Sequence, residues 1–554
     1  MKYCSLLLAA LALPATAQTP TKVKIKTKPG TTATKAPTAA RPAPAAPAPA
    51  DLPQVYAERY ITQDHLRRDL GVLASDEYEG RETGTKGQQM AAAYITRQFK
   101  DDSLVAPVAA NAANPYLQTF SLERSAWQPG GTLALGGKTY KWLEDFYAFG
   151  RSPFQQATVV QPVFAGYGIE QGDYSNYKGL DVKGKDLLVL LGEPTSAEGK
   201  PLLGQDGKPS KWGVDYRAKA ALAAQKGARS VFFISQDAGF AKTEARLAPR
   251  IMQPTIAAAE SGNSRAASFF VSPALGLQLL GTTEAKLKAF EAATASAKAP
   301  AASKFKPAKF TLNAPQERSA VSTENVLGYL PGTDLKDEVL VVSAHYDHLG
   351  IIGGEVYNGA DDDGSGTVGM LSIAQAFAKA AHAGHGPRRS ILFLANTGEE
   401  KGLLGSEYYA EHPVFPLANT VTDLNIDMIG RTDAAHLGKP DYVYVIGSDK
   451  LSSQLHAALE SVNKARGGMD LDYRFNDPQD PNRFYYRSDH YNFAKKGIPV
   501  AFFFNGVHPD YHQASDEISK IEFDKLEARA RLVYYLAWDL ANRDQRPVVD
   551  SNKL

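Results

Sequence analysis

Residues 341–366 have the sequence VVSAHYDHLGIIGGEVYNGADDDGSG. The apolar run Val339 to Ala344 predicts a buried strand of a parallel sheet. His345 and Asp347 then follow the carboxyl end of that strand, which is where open α/β sheets bind their ligands. Thr367 to His382 is apolar along one side and predicts a helix that begins just after the glycine-rich turn. The stretch therefore predicts an α/β fold with a mostly parallel central sheet flanked by helices.

Three consecutive carboxylates, Asp361, Asp362 and Asp363, precede this helix. Adjacent carboxylates repel one another unless a helix dipole, backbone donors or a bound cation compensates their charge. A bound cation is the simplest explanation, and a solvated acidic loop is the alternative.

Other apolar runs deliver polar side chains in the same way. Arg389 to Ala395 leads to Glu399 and Glu400, Val421 to Ile426 leads to Asp427, and Ile498 to Phe504 leads to His512. Two imidazoles and three carboxylates would hold two zinc ions if one carboxylate bridged them, namely His345, Asp362, Glu400, Asp427 and His512. Nitrogen and oxygen ligands without cysteine suit zinc, and manganese or cobalt would also be compatible.

Five motifs occur in a characteristic order: HYDH, NGADDDGSG, TGEE, NIDMIG and DYH. This pattern resembles the family of di-zinc aminopeptidases that also contains glutamate carboxypeptidase, glutaminyl cyclase and the catalytically silent transferrin receptor. The resemblance implies the zinc-exopeptidase fold and two Zn²⁺ ions as cofactors.

The resemblance also implies how the ligands divide between the two ions. Asp362 would be the bridging carboxylate, with a cis peptide bond to Asp363. His345 and Asp427 would hold one zinc ion, and Glu400 and His512 would hold the other.

Four further residues receive roles from the same resemblance. Glu399 matches the general base, for which a surface carboxylate is the alternative. Asp347 matches the acid that orients His345, and such partners set the tautomer and ring orientation of a ligating histidine. Tyr511 matches the tyrosine that stabilises the oxyanion. Arg487, in RSDH, matches a substrate-contacting arginine, with pairing to the neighbouring Asp489 as the alternative.

The function implied is that of an exported zinc-dependent aminopeptidase. It would hydrolyse the N-terminal peptide bond of peptides with a free N-terminus, using water activated by two zinc ions and a glutamate base. The alternatives are a carboxypeptidase or dipeptidase acting on acidic dipeptides, a cyclase using one zinc ion, and a non-catalytic binding protein. RSDH is closer to the aminopeptidase branch, while the complete ligand set argues against the cyclase and the binding protein.

The composition argues against nucleic acid and membranes as binding partners. The chain has 554 residues, of which 44% are hydrophobic, with 61 basic and 60 acidic side chains. This balance provides no electrostatic case for nucleic-acid binding. No apolar run approaches the roughly 20 residues needed to span a bilayer, so stable membrane insertion is not expected. No pattern indicates an oligomeric state.

The first residues, MKYCSLLLAALALPATAQ, predict a secretory signal peptide over 1–17 that ends in an A-x-A cleavage site. The single cysteine, Cys4, lies inside it, so the mature chain would contain no disulfide. Residues 18–53 are rich in Pro, Ala and Lys and predict an extended linker. The protein is expected to be exported to the periplasm or the extracellular space.

The rest of the chain divides into four predicted parts. Residues 54–151 would form the N-terminal part of the peptidase domain, with helices over Ile61 to Ala74 and Lys86 to Lys100. Residues 152–306 read as an inserted small α/β domain without clustered His, Asp or Glu, and they resemble a protease-associated domain. Residues 307–545 would be the catalytic zinc peptidase domain, and 546–554 a C-terminal tail.

Overall fold

The computed structural model describes residues 52–237, 239–259, 266–297 and 299–551. The predicted signal peptide, with Cys4, and residues 18–51 of the predicted linker lie outside these ranges. In the part of the chain that the structure describes, none of the helices combines the length and the apolar character needed to cross a bilayer.

One group of helices lies within the inserted region, and the other helices precede or follow that region. In chain order they are α1 Leu52–Tyr60, α2 Gln63–Leu73, α3 Lys86–Asp101, α4 Lys211–Val214, α5 Tyr216–Gln225, α6 Phe240–Met252, α7 Pro273–Leu280, α8 Glu284–Ala297, α9 Gly366–His382, α10 Leu404–Glu411, α11 Ser453–Val462, α12 His490–Ala494 and α13 Phe523–Asn542. The helices predicted at the positions of α2, α3 and α9 are confirmed. Leu52 and Pro53, which were assigned to the linker, instead begin α1.

A large mixed sheet forms the centre of the fold. Among the described residues it contains nine strands: β1 Leu117–Trp127, β2 Thr255–Ala258, β3 Gln316–Leu330, β4 Leu335–His345, β5 Arg389–Asn396, β6 Thr420–Ile426, β7 Tyr442–Ile446, β8 Asp470–Asp472 and β9 Val500–Phe504. Their order across the sheet is β2-β1-β3-β5-β4-β6-β9-β7-β8. The central strands β5, β4, β6 and β9 run parallel, and antiparallel pairs occur toward both edges. The predicted α/β class is confirmed.

Both faces of the central strands are covered by apolar packing. On β4, Leu340 and Val342 belong to the core that contains α9 and α13, whereas Val339 and Val341 belong to the core on the opposite face. This alternation follows from the two-residue repeat of a strand. Burial on both faces explains why the buried parts of β4, β5 and β9 are mainly apolar, whereas β6 also carries the buried Asp423 and Asn425.

The region between β1 and β3 has its own core. In the described residues, two sheets contribute to it. One contains Phe146–Phe149, Val163–Phe164, Asp186–Leu190, Ser230–Ile234 and Ala267–Val271, and the other contains Thr132–Leu135, Lys138–Lys141, Thr158–Val160 and Phe310–Asn313. The apolar cluster that they share extends from Trp127 to Ala314.

This second core is wider in sequence than the predicted insert, 152–306. Phe310–Asn313 pairs with both Thr132–Leu135 and Thr158–Val160, and Phe310 and Leu312 are buried there. Thr255–Ala258, in contrast, leaves the insert and pairs with β1 at the edge of the large sheet. The assignment of this region as a protease-associated domain stays a prediction.

Candidate metal centre

The carboxyl ends of the central strands bring acidic and histidine side chains to one edge of the sheet. β4 ends at His345, β6 is followed by Asp427, and β5 leads to Glu399 and Glu400. β9 leads through a short loop to His512. These positions are where a parallel α/β sheet binds ligands, because the strand ends open into a common crevice.

His345 faces a group of carboxylates. Its Nδ1 lies 3.1 Å from the backbone oxygen of Asp347, whereas its Nε2 lies 3.3 Å from Asp362 Oδ1, 3.6 Å from Asp427 Oδ1 and 3.9 Å from Glu399 Oε2. Burial lowers the pKa of His345, but the charges of Glu399 and Asp427 outweigh it and raise this pKa well above its usual value. In the described structure Nε2 has no hydrogen-bond partner. A buried ring nitrogen aimed at carboxylates is the arrangement that a cation would complete.

A second group forms around His512. The Nε2 atom of His512 lies 3.0 Å from Asp362 Oδ2 and 3.2 Å from Glu400 Oε2. Burial lowers the pKa of His512, but hydrogen bonding to these two carboxylates raises it to about 10. One oxygen of Asp362 therefore faces His345 and the other faces His512. The peptide bond between Asp362 and Asp363 is cis.

The neighbouring aspartates are held differently. Asp363 accepts hydrogen bonds from the backbone N–H groups of His345, Gly366 and Met428, at 3.2, 2.9 and 2.9 Å. These backbone donors offset part of its charge, but burial raises the pKa of Asp363 well above its usual value. It therefore serves the packing of the turn, although its carboxylate also lies within reach of His345 and Asp427.

Asp361 is also fully paired. It accepts from the Gly430 N–H at 2.7 Å and the Ser365 hydroxyl at 3.0 Å, and its other oxygen lies 3.0 Å from His508 Nε2. Backbone donors at both flanking residues, together with His508 at Asp361, thus offset part of the predicted repulsion in the DDD turn. Asp362 alone of the three is turned toward both His345 and His512.

His348 belongs to the second group, although the sequence analysis gave it no role. It is fully buried, and its Nδ1 lies 2.9 Å from Glu400 Oε1 and 3.9 Å from Asp362 Oδ2. In the described structure neither ring nitrogen makes a hydrogen bond of normal geometry, despite the short distance from Nδ1 to Glu400. The only signal in the sequence was the second histidine of HYDH, which lies three residues after His345.

Glu399 and Asp347 lie beside the first group. The backbone N–H of Glu399 donates to Asp347 Oδ1 at 3.2 Å, and Thr83 Oγ1 donates to Asp347 Oδ2 at 2.7 Å. Burial, together with the charges of Glu400 and Asp427, raises the pKa of Glu399 well above its usual value. Its carboxylate is therefore held in an acidic pocket, where His345 is the neighbouring side chain that partly offsets this rise.

Tyr511 and Arg487 form a pair beside His512. Arg487 Nη2 donates to the Tyr511 hydroxyl at 3.2 Å, and the Tyr511 ring stacks on His512 with ring centroids 3.9 Å apart. The Arg487 guanidinium lies 5.0 Å from the ring centre of Phe484. Asp489 is instead buried and accepts from Ser406 Oγ at 2.5 Å. Within the described residues, the alternative pairing of Arg487 with Asp489 is therefore not seen.

A comparison with known families agrees with this geometry. Residues 325–537 match the profile described as Peptidase family M28. The match is confined to these residues, which are called the M28 segment below. The family resemblance predicted from the five motifs is therefore confirmed. The M28 segment begins in β3 and ends in α13, so it contains every predicted ligand.

Individual relatives align with part of the chain. Aminopeptidase YwaD of Bacillus subtilis (strain 168) is 26% identical over 242 residues, which are 41% of this chain and 46% of that protein. A probable zinc metalloprotease of Pyricularia oryzae is 29% identical over 267 residues, which are 40% of this chain and 50% of that protein. The chain thus spans about half the length of these relatives.

One solved structure resembles nearly the whole fold. The aminopeptidase from Aneurinibacillus sp. strain AM-1 aligns with a TM-score of 0.51 and 19% identity, covering 89% of this chain and 97% of that chain. This similarity concerns the fold, including the region between β1 and β3.

A cleft opens onto the ligand groups of the M28 segment. Its polar lining consists of Asp362, Glu399, Asp427, Arg487 and Tyr511, and its apolar lining of Met428, Phe484, Phe502, Phe504 and Val507. The predicted site residues therefore come together at one edge of the sheet, although the role of each stays a prediction.

Proposed function

We propose that the chain is a zinc-dependent aminopeptidase that holds two metal ions. The observation that carries this proposal is the position of Asp362, with Oδ1 3.3 Å from His345 Nε2 and Oδ2 3.0 Å from His512 Nε2. Tetrahedral zinc ligands at about 2.0–2.1 Å from the ion lie about 3.3 Å from one another. The observed spacings within each ligand group agree with that value.

The division of ligands follows from these contacts. His345 and Asp427 would hold one ion and His512 and Glu400 the other, with Asp362 shared between them. Imidazole and carboxylate donors without cysteine are typical of zinc. The name of the Pyricularia relative, a probable zinc metalloprotease, supports the same metal.

The chemistry divides between the metal and the protein. When bound, the ions supply Lewis acidity, which polarises the scissile carbonyl and makes water more acidic. Glu399 accepts the proton of the attacking water and passes it to the leaving amine. Tyr511, held by Arg487, donates a hydrogen bond to the oxygen on which negative charge develops. Asp347 holds Glu399 in place through the backbone N–H of that residue.

The charges that line the cleft favour an aminopeptidase. A carboxypeptidase acting on acidic dipeptides would need several cationic side chains, but Arg487 is the only basic residue among those that line the cleft in the described chain. The apolar walls favour substrates whose N-terminal residue is apolar.

The proposal includes export of the enzyme. It is supported by the signal-like sequence of residues 1–17, with cleavage expected after Ala17. N-terminal sequencing of the protein purified from cell envelope and culture medium would then begin at Gln18. A product that retains Met1 would contradict export by this route.

The deciding experiment uses one peptide, Leu-Ala-Ala, in three forms: free, N-acetylated and C-amidated. We expect the zinc-loaded protein to release leucine from the free and the C-amidated forms only. Activity should disappear with 1,10-phenanthroline and return with added zinc. Cleavage of the N-acetylated form but not the amidated form would indicate a carboxypeptidase. No cleavage of any form would favour the binding protein.

A further inference from the structure

A short segment outside the M28 segment, Arg81-Glu82-Thr83, contacts the loops that carry the ligand groups. It precedes the matched residues 325–537 by more than two hundred positions. Arg81 and Thr83 are almost completely buried, at 1% and 2% exposure. Its three side chains reach three different parts of the site.

Arg81 joins the loop after β4 to the loop before Asp362. Its guanidinium donates to the backbone oxygens of Tyr346 at 2.8 Å, Asn358 at 2.7 Å and Gly359 at 3.0 Å. Its own backbone oxygen accepts from the N–H of His348 at 3.2 Å. A buried arginine with several carbonyl partners in a fixed fork keeps these two loops in one arrangement.

Glu82 reaches the loop after β5. Its carboxylate lies 2.9 Å from the ammonium of Lys401, which directly follows Glu400. Both side chains are partly exposed, so this ion pair contributes little by itself. It places the segment against the Glu399-Glu400 turn.

Thr83 has the most direct connection to the reacting groups. Its hydroxyl donates to Asp347 Oδ2 at 2.7 Å, while Asp347 Oδ1 accepts the backbone N–H of Glu399 at 3.2 Å. The backbone oxygen of Asp347 lies 3.1 Å from His345 Nδ1. Asp347 therefore links Thr83 to both the proposed base and a proposed ligand.

We propose that Thr83 is a positioning residue for the reaction, acting through Asp347 on Glu399 and His345. Without the hydroxyl, Oδ2 of Asp347 would be a buried acceptor that lacks this donor. The carboxylate would then turn to find another partner and release the Glu399 N–H. Thr83 does not line the cleft, so its loss should affect turnover rather than substrate binding. This inference rests on the proposed function.

Three full-length variants separate positioning from general packing. Thr83→Val removes the hydroxyl at nearly constant volume, and Thr83→Ser keeps it. Thr85→Val is the matched control, because the Thr85 hydroxyl donates only to the nearby Glu82 backbone oxygen at 2.7 Å. If valine prevents folding, Thr83→Ala and Thr83→Ser provide the same comparison.

The activity readout is kcat and KM for leucine p-nitroanilide with zinc-loaded enzyme. We expect Thr83→Val to lower kcat by about 10- to 100-fold, the usual effect of removing a partner behind a metal ligand, with KM within twofold. Thr83→Ser should retain at least a third of kcat, and Thr85→Val should match the wild type. A rise in KM at constant kcat, or equal losses in Thr83→Val and Thr85→Val, would overturn the proposal.

Zinc affinity, measured by competition with a chromophoric chelator, is independent of activity. We expect Thr83→Val to bind zinc at least fivefold more weakly than Thr85→Val. An inactive wild type would overturn the proposed function. The titration would still support the positioning role if Thr83→Val bound zinc at least fivefold more weakly than Thr85→Val. Equal zinc affinities with unchanged kcat would overturn the positioning role alone.

Discussion

Glu399 is the residue whose identity matters most for the proposed chemistry. Its Oε2 atom lies 3.9 Å from His345 Nε2, and its side chain faces the cleft. Its backbone N–H donates a hydrogen bond to Asp347 Oδ1. A glutamine at this position keeps the shape of the side chain but cannot accept a proton. General-base catalysis typically contributes about 10²- to 10⁴-fold to the rate.

We therefore expect Glu399→Gln to lower kcat by about 10²- to 10⁴-fold while zinc content and KM change little. Steady-state kinetics with leucine p-nitroanilide and metal analysis would measure both. Glu407→Gln is a suitable control, because Glu407 lies on α10 and pairs only loosely with Lys495, at 3.7 Å. A variant that loses zinc together with activity would show that Glu399 acts as a ligand instead.

Lys219 is a second residue whose environment has a measurable consequence. It is 1% exposed in α5, and its ammonium donates to the backbone oxygens of Leu190 and Gly192. Burial lowers the pKa of Lys219 to about 7. Above pH 7 the unfolded chain then binds a proton at this residue that the folded chain lacks. The free energy of unfolding should therefore increase with pH until it levels off near the ordinary lysine pKa of about 10.4.

The expected contribution is up to about 1.4 kcal/mol per pH unit between pH 7 and pH 10. Urea unfolding at pH 7, 8 and 9 should show this slope in the wild type and lose it in Lys219→Met. The exposed Lys211→Met controls for the loss of one lysine. Parallel slopes in the wild type and Lys219→Met would contradict the prediction.

At the scale of elements, hydrogen bonds between two loops determine the shape of the site. Asp516 accepts the backbone N–H groups of Asp361 and Asp362, each at 3.1 Å to Oδ2, and its backbone oxygen accepts from Ala360. The turn after His512 therefore fixes the turn that carries Asp362, the carboxylate proposed to be shared by the two ions. Asparagine at this position would present an N–H group to these donors or leave one of them unpaired.

We expect Asp516→Asn to lower kcat/KM by about 10-fold or more and to weaken zinc binding, as removal of an outer partner usually does. Glu517→Gln is the matched control. It neutralises the adjacent carboxylate, which accepts only from Asn358 Nδ2, at 3.0 Å. Kinetics and chelator competition on both variants would test this, and equal effects would point to charge rather than to the Asp516 contacts.

The sequence predicted those elements whose signals are local. The strands that deliver proposed ligands are largely apolar, and His345, Asp427 and Glu400 lie at or shortly after a strand end, so the α/β class and the grouping of these three residues were accessible. His348 and Thr83 were not. Their importance comes from contacts with Glu400 and Asp347, and the Thr83 contact joins residues more than 250 positions apart. Apolar periodicity carries no information about such pairings.

Dependence on long-range contacts also explains why the boundaries of the inserted region were predicted incompletely. Phe310–Asn313 and Thr132–Leu135 are short strands of four residues each, and only their pairing assigns them to the second core. Thr255–Ala258 lies within the predicted insert but completes the edge of the large sheet. Strand partners are set by tertiary contacts, so the range 152–306 could not be refined from composition.

At the scale of the whole molecule, two apolar cores are joined through the long strands β1 and β3. The first consists of the apolar clusters on both faces of the large sheet, and the second extends from Trp127 to Ala314. Every proposed ligand lies at a strand end or on a loop at the edge of the sheet that the first core surrounds. Zinc should therefore stabilise that core directly, because binding to the folded state alone raises the free energy of unfolding.

Scanning calorimetry of the full chain should show two unfolding transitions. Zinc should raise the midpoint temperature of only one of them. Saturation to 100 times the dissociation constant is worth about 2.7 kcal/mol, which corresponds to a shift of roughly 5–10 °C. Phe232→Leu, in the second core and stacked on Phe269, should lower the other transition and leave the zinc-dependent one in place. Movement of both transitions with zinc would show that β1 and β3 couple the two cores into a single cooperative unit, and the metal would then stabilise the inserted region as well.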